Sequence, residues 1–161
     1  MTSESELQLV EQSFESIKLQ EELFATKFYD NLFVANPSLQ PLFKDTDVTE
    51  QGKVLHKTLI LIIENLRKPD VLDDSLKGLG ARHVKYGVLP EHYPIVGNAL
   101  LKTFAQVLED QYTPQIHQAW INSYGDIVEL MLEGAEYSQE EVQLNPTSPK
   151  VNDSGSTKSL F

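Results

Sequence analysis

The chain has 161 residues, 40% of them apolar and 23% charged, with a formal charge of −11 and no cysteine. The missing cysteines exclude disulfides, thiolate catalysis, cysteine-held zinc and iron–sulfur clusters, and fit a reducing cytoplasm. The acidic balance without a basic stripe argues against nucleic acid and anionic membrane as partners, the start Met1–Glu6 is too acidic for a secretory signal, and no apolar run approaches the roughly 20 residues of a membrane helix.

Helical periodicity runs almost unbroken to about residue 136, and no stretch alternates as a strand would, so an all-α chain is expected. The first helix opens on Ser3 and Glu6 as a capping box and sets Leu7, Val10, Phe14 and Ile17 on one face. A second spans about 20–35, with Phe24, Phe28, Leu32 and Phe33 inward. Asn36-Pro37 then reads as N-cap and first-turn proline of a short helical turn carrying Leu39, Leu42 and Phe43. The long helix at about 48–67 has Val48, Leu55, Leu59, Ile62, Ile63 and Leu66 as its apolar set, and Lys68-Pro69-Asp70 breaks the pattern. The next segment, about 71–86, is weaker because Gly78 and Gly80 lower its helix propensity; His83 lies near its end. Leu89-Pro90 opens a helix with Tyr93, Val96, Leu100, Phe104 and Leu108 on one face. Thr113-Pro114 caps the last, which carries Ile116, Trp120, Tyr124, Ile127 and Met131. From about Tyr137 the composition turns to Ser, Pro, Asn, Gly and Thr. The expectation is a domain over 1–136 of about seven helices, followed by a flexible, disordered polar tail over 137–161.

His83 stands out by its surroundings. Leu79 lies one helical turn earlier, so its carbonyl is placed to accept from one ring nitrogen and to fix the tautomer. An imidazole held that way can ligate a haem iron inside a helical pocket. Pro37, Phe43 and Gln51 stand at fixed distances upstream, and His92-Tyr93-Pro94-Ile95-Val96-Gly97 downstream.

This ordered set, with Phe28-Tyr29-Asp30-Asn31-Leu32-Phe33 and Pro41-Leu42-Phe43, resembles the globin family over about residues 5–136. The likeness is closest to single-domain bacterial globins and the globin module of flavohaemoglobins, and Gln51, 32 residues before His83, has a neuroglobin-like spacing. The resemblance implies a globin fold, a three-over-three helical sandwich, that holds haem b (iron protoporphyrin IX). It implies His83 as the proximal metal ligand, Tyr29 and Gln51 as the distal pair and Leu55 as the apolar gate beside them. It also implies Phe43 wedged against the porphyrin, with Leu79, Tyr93 and Val96 among the further cofactor contacts. Gly52 resembles the small residue that lets two helices cross closely, near Ala25. The distal chemistry makes sense without the family, since O2 on ferrous haem takes on partial superoxide character. A phenol O–H and an amide N–H donating to it are worth about 1.5–3 kcal/mol each. In flavohaemoglobins a glutamate on the last helix completes a His–Tyr–Glu network; here Ala135 stands in its place, with Glu133 and Glu136 on other faces. That departure weakens the expectation of peroxidase-like or fully tuned dioxygenase chemistry.

His56 follows Gln51 by five residues, about 500° of helix, and is expected between helices or partly exposed rather than at the iron. His92 and His117 are assigned no role. Arg82, Lys57 and Lys85 are candidates for the haem propionates or, equally, solvated charges. The expected function is reversible binding of O2, NO or CO. NO dioxygenation would need an external reductase, because no Gly-rich dinucleotide fingerprint follows a strand. A haem-based gas or redox sensor signalling through the tail is a second reading, and an acidic helical scaffold without haem a third. A monomer or weak homodimer in the cytoplasm is expected.

Overall fold

Ser3 opens the first helix, as its spacing from Glu6 predicts. Its hydroxyl accepts from the Glu6 amide at 3.3 Å, and the Glu6 carboxylate accepts from the Ser3 amide at 3.1 Å. The pair satisfies two donors that a helix start leaves open. The computed structural model describes residues 2–144, with the side chains of 2–135. In chain order it contains α1 (Glu4–Lys18), α2 (Glu21–Ala35), a 3-10 turn (Pro37–Phe43), α3 (Val48–Glu64), α4 (Pro69–Lys85), α5 (His92–Leu108), a short 3-10 segment (Glu109–Gln111) and α6 (Pro114–Leu144). No strand occurs among the described residues. None of their helices is long and apolar enough to cross a membrane.

Four boundaries differ from the sequence reading, each for a local reason: α3 ends at Glu64 rather than about 67, where the Asn65 amide donates back to the Ile62 carbonyl at 3.1 Å and the chain turns. α4 starts at Pro69, which sits at the first helical position where a missing N–H costs nothing. Its glycines do not weaken it into a loop. A Cβ at Gly80 would collide with the Met131 carbonyl, so that glycine is the point where α4 rests on α6. α5 starts at His92 rather than at Leu89-Pro90, because the Leu89 amide donates to His92 Nδ1 at 3.0 Å and closes a turn ahead of the helix. α6 runs to Leu144, past the boundary expected at 136. Gln139, Glu140, Glu141 and Gln143 are good helix formers and carry the helix past 136. The rest of the expected tail, 145–161, lies outside the described residues.

α2 packs on α3 and α5, α4 on α6, and α1 chiefly on α6. The rings of Phe24, Phe104 and Trp120 form the centre, Phe104 and Trp120 only 4.4 Å apart between centroids. The buried polar groups there are paired. Trp120 Nε1 donates to Ser13 Oγ at 2.9 Å, and Asn31 Nδ2 donates to Thr103 Oγ1 at 3.0 Å and Gln106 Oε1 at 2.9 Å. These bonds tie α1 to α6 and α2 to α5. α2 and α3 cross where Gly52 meets Ala25; a Cβ on Gly52 would overlap that of Ala25. Gly52→Val should therefore push α3 off α2 and cost about 1–3 kcal/mol of stability, read as a lower urea midpoint.

Candidate functional site

An apolar slot lies between α3 on one side and α4, α5 and α6 on the other, with the 3-10 turn along one edge. Six residues singled out from the sequence line it together: Phe43, Leu55, Leu79, His83, Tyr93 and Val96. His83 is 1% exposed, on the last turn of α4. Its Nδ1 lies 2.8 Å from the Leu79 carbonyl oxygen. A carbonyl can only accept, so Nδ1 carries the proton and Nε2 the lone pair. The Tyr93 ring stacks on the imidazole, 6.3 Å between centroids at 19°. Gly80, three residues before His83, seats this end of α4 against α6.

Tyr29 and Gln51 are buried but do not themselves line the slot; each stands beside a residue that does. Tyr29 packs edge-on against Phe43 at 5.5 Å and Phe28 at 5.0 Å. Gln51, fully buried, sits one helical turn before Leu55 on α3. The Tyr29 hydroxyl is buried with no hydrogen-bond partner among the described residues. Burial pushes its phenol well above the usual tyrosine range, so it stays a donor at any ordinary pH. A buried hydroxyl left without a partner costs about 1–3 kcal/mol, and such an atom in a native fold calls for an explanation.

The other histidines separate by their partners. His56 is buried between α1, α2 and α3, with Nε2 3.1 Å from the Ile17 carbonyl, Nδ1 3.6 Å from the Glu21 carboxylate, and its ring against Phe14 and Phe24. Both nitrogens face away from the slot, in line with its 500° offset from Gln51. His117 Nδ1 lies 2.7 Å from the Tyr112 hydroxyl, far along α6. His92 does line the slot, half-buried at the start of α5. Sequence reasoning gave it no part there, because its place depends on the turn at Leu89. Thr58 and Met131 were missed as well: both line the slot from helices whose crossing only the fold sets. Arg82, Lys57 and Lys85 are exposed; of the three, Arg82 alone borders the groove between α3 and α4 that continues past Thr58.

Ala135 is buried on α6, and Glu133 pairs with Lys77 at 3.4 Å, at the surface. Among the described residues no three His, Cys, Asp or Glu side chains converge on a common metal position. An iron porphyrin asks for something different, one imidazole of fixed tautomer in an apolar, aromatic-edged cleft, and the slot has that donor set.

A family model described as Globin matches residues 26–131. Among curated proteins the chain is similar to the flavohaemoprotein of Rhodopirellula baltica, 30% identical over 87% of this chain and 35% of that protein. It is 38% identical to flavohaemoprotein A of Dictyostelium discoideum over 74% of this chain and 30% of that protein. To the flavohaemoprotein of Bacillus subtilis it is 31% identical, over 89% and 37% respectively. The chain thus spans about a third of the length of these relatives. Among solved structures, an engineered carbene transferase from Rhodothermus marinus superposes with a TM-score of 0.78 at 22% identity, over 89% of this chain and 99% of that one, and so shares the fold. With the family model matched across the helical core and the fold in common, the chain belongs to the globin family, whose cofactor is haem b.

Proposed function

We propose that this globin binds O2, NO and CO reversibly in the cytoplasm, as a monomer or weak homodimer, with His83 as the only protein ligand to the iron. We further propose that it converts NO to nitrate when a reductase beyond these 161 residues supplies electrons. The observation that carries the reading is His83 itself, buried, fixed in tautomer by Leu79 and lining a slot edged by Phe43 and Leu55.

When bound, haem supplies a ferrous iron with one position for a small gas. The chain's residues supply the rest. His83 offers the Nε2 lone pair, and its Nδ1 donates to the Leu79 carbonyl, which fixes the tautomer. Tyr29 stays protonated and, with the Gln51 amide, is the donor set for a polar gas ligand. Leu55 and Phe43 keep water out. Nitrate formation joins NO to both atoms of O2 and consumes one electron per turnover. The matched flavohaemoproteins, by their name, join flavin and haem, so a flavin-dependent reductase is the electron donor we assign.

A sensor reading has one observation in its favour: α4 touches α6 by backbone at Gly80 and Met131, three residues from His83, and α6 leads into the segment after Leu144. Removing 145–161 without changing gas affinity or any partner's binding would discard it.

The test is an optical spectrum of the haem-reconstituted protein, ferric and then dithionite-reduced. A Soret band with one broad visible band on reduction is expected, and adding NO to the oxygenated protein should yield nitrate. Failure to take up haem would overturn the whole reading. Sharp split bands on reduction would overturn the open gas position.

A further inference from the structure

We propose that Gly80 and Gly134 form a two-point clamp between α4 and α6 that positions His83 at the slot; the inference rests on the haem-binding reading above. The Leu79 hydrogen bond runs inside α4, so it fixes the imidazole on its helix but not the place of that helix in the fold. Side chains ordinarily set helix spacing, keep the axes about 8–10 Å apart and rotate to take up a displacement. At this crossing two glycines take that freedom away. A Cβ on Gly80 would run into the Met131 carbonyl, and a Cβ on Gly134 into the Lys77 carbonyl.

The two contacts are reciprocal. The glycine stands on α4 in one and on α6 in the other, and residue 77 precedes 80 as 131 precedes 134, so the helices run antiparallel and touch twice, about one helical turn apart. A single touching point would leave a pivot. Two points fix the distance and the tilt together, and His83 follows Gly80 by only three residues on the same helix. The glycines outside the crossing sharpen the assignment. Gly78 on α4 meets only the far end of the Arg82 side chain, at 3.5 Å, and Gly125 on α6 meets nothing within 4 Å. A glycine weakens a helix wherever it stands; at 80 and 134 the close approach of two backbones is the return. Leu76, Leu79 and Met131 are buried around the crossing and keep it dry. A helix held by backbone cannot yield as one held by side chains can, so the clamp sets how Nε2 reaches a bound iron.

The experiment uses the haem-loaded protein and reads the iron–histidine stretching band of the ferrous form by resonance Raman, beside haem transfer to an excess of apo-myoglobin. Gly134→Ala changes a helix that does not carry His83. It should displace the band and speed haem loss about tenfold, the low end of what disturbing a metal ligand's support costs. Gly80→Ala should displace the band in the same direction, and the double variant by less than the sum, since the helices part only once. Gly78→Ala and Gly125→Ala should leave the band in place. Ser13→Ala, which breaks the Trp120 bond between α1 and α6, should lower the urea midpoint without moving the band. A band unmoved in Gly134→Ala, or moved as far by Ser13→Ala, would overturn the proposal, and so would opposite displacements from the two clamp glycines. If neither alanine variant folds, amide hydrogen exchange of the unmodified protein decides. Haem loading should slow exchange at 128–134 together with 76–83, and protection gained by α4 alone would overturn the clamp. No haem uptake by the unmodified protein would overturn this and the haem reading together.

Discussion

His83→Ala should lose haem to excess apo-myoglobin at least about 100-fold faster than the unmodified protein. Removing a hydrogen-bond partner of a metal ligand typically costs about 10–100-fold in affinity, and this variant removes the proposed ligand itself. The apolar walls of the slot remain, so the variant should still take up haem loosely, with a Soret band displaced from the original. Free imidazole should restore that band, because the deleted side chain leaves a space of its own shape beside Leu79. The apo form should lose about 1–3 kcal/mol in urea unfolding, for the emptied volume and the lost Nδ1–H bond. His92→Ala is the matched control, since His92 is the other histidine lining the slot. An unchanged band and unchanged haem transfer in His83→Ala, with both altered in His92→Ala, would move the iron ligand to α5.

What could be read from the sequence was what lies within one helix or rests on a strong local rule. The capping box at Ser3, the turn between Leu79 and His83, and the alignment of Leu55 after Gln51 are all three- or four-residue relations, fixed by helix geometry alone. Gly52 against Ala25 was legible because a glycine in an otherwise strong helix needs a reason, and close helix crossing is the commonest one. The remaining features depend on how distant helices meet. Gly78 and Gly80 looked like weakness in α4, and only the crossing with α6 shows Gly80 as a seat. The bond from Tyr124 to Tyr93 joins residues 31 positions apart, and nothing in either neighbourhood announces it. Tyr29 and Gln51 are the distal pair that the resemblance implies; Phe43 and Leu55 form the surface of the slot and the two polar side chains stand beside them, a layering that helix spacing alone does not give. His56 shows the middle case. The helical angle gave its direction, but not Ile17 and Glu21 as its partners.

That placement of Tyr29 sets up the second large effect. Tyr29→Phe combined with Gln51→Leu should accelerate O2 release by on the order of 100-fold or more. Each donor to a charged acceptor is worth about 1.5–3 kcal/mol, and about 1.4 kcal/mol is tenfold in rate. The two donors share one acceptor, so the combined effect should fall short of the product of the single effects. CO, a poorer acceptor, should leave at nearly its original rate, which separates lost hydrogen bonding from a general loosening of the slot. Tyr29→Phe alone makes a further, opposite demand on stability. The phenyl ring keeps its contacts with Phe28 and Phe43, while the hydroxyl it gives up is buried without a partner among the described residues. Losing that atom should raise apo-protein stability by about 1 kcal/mol, seen as a higher urea midpoint. Faster O2 release with a more stable fold would identify the hydroxyl as a group retained for the ligand at the expense of the core. Faster release with a less stable fold would mean that the hydroxyl bonds within the protein, and would assign the gain in rate to disrupted packing.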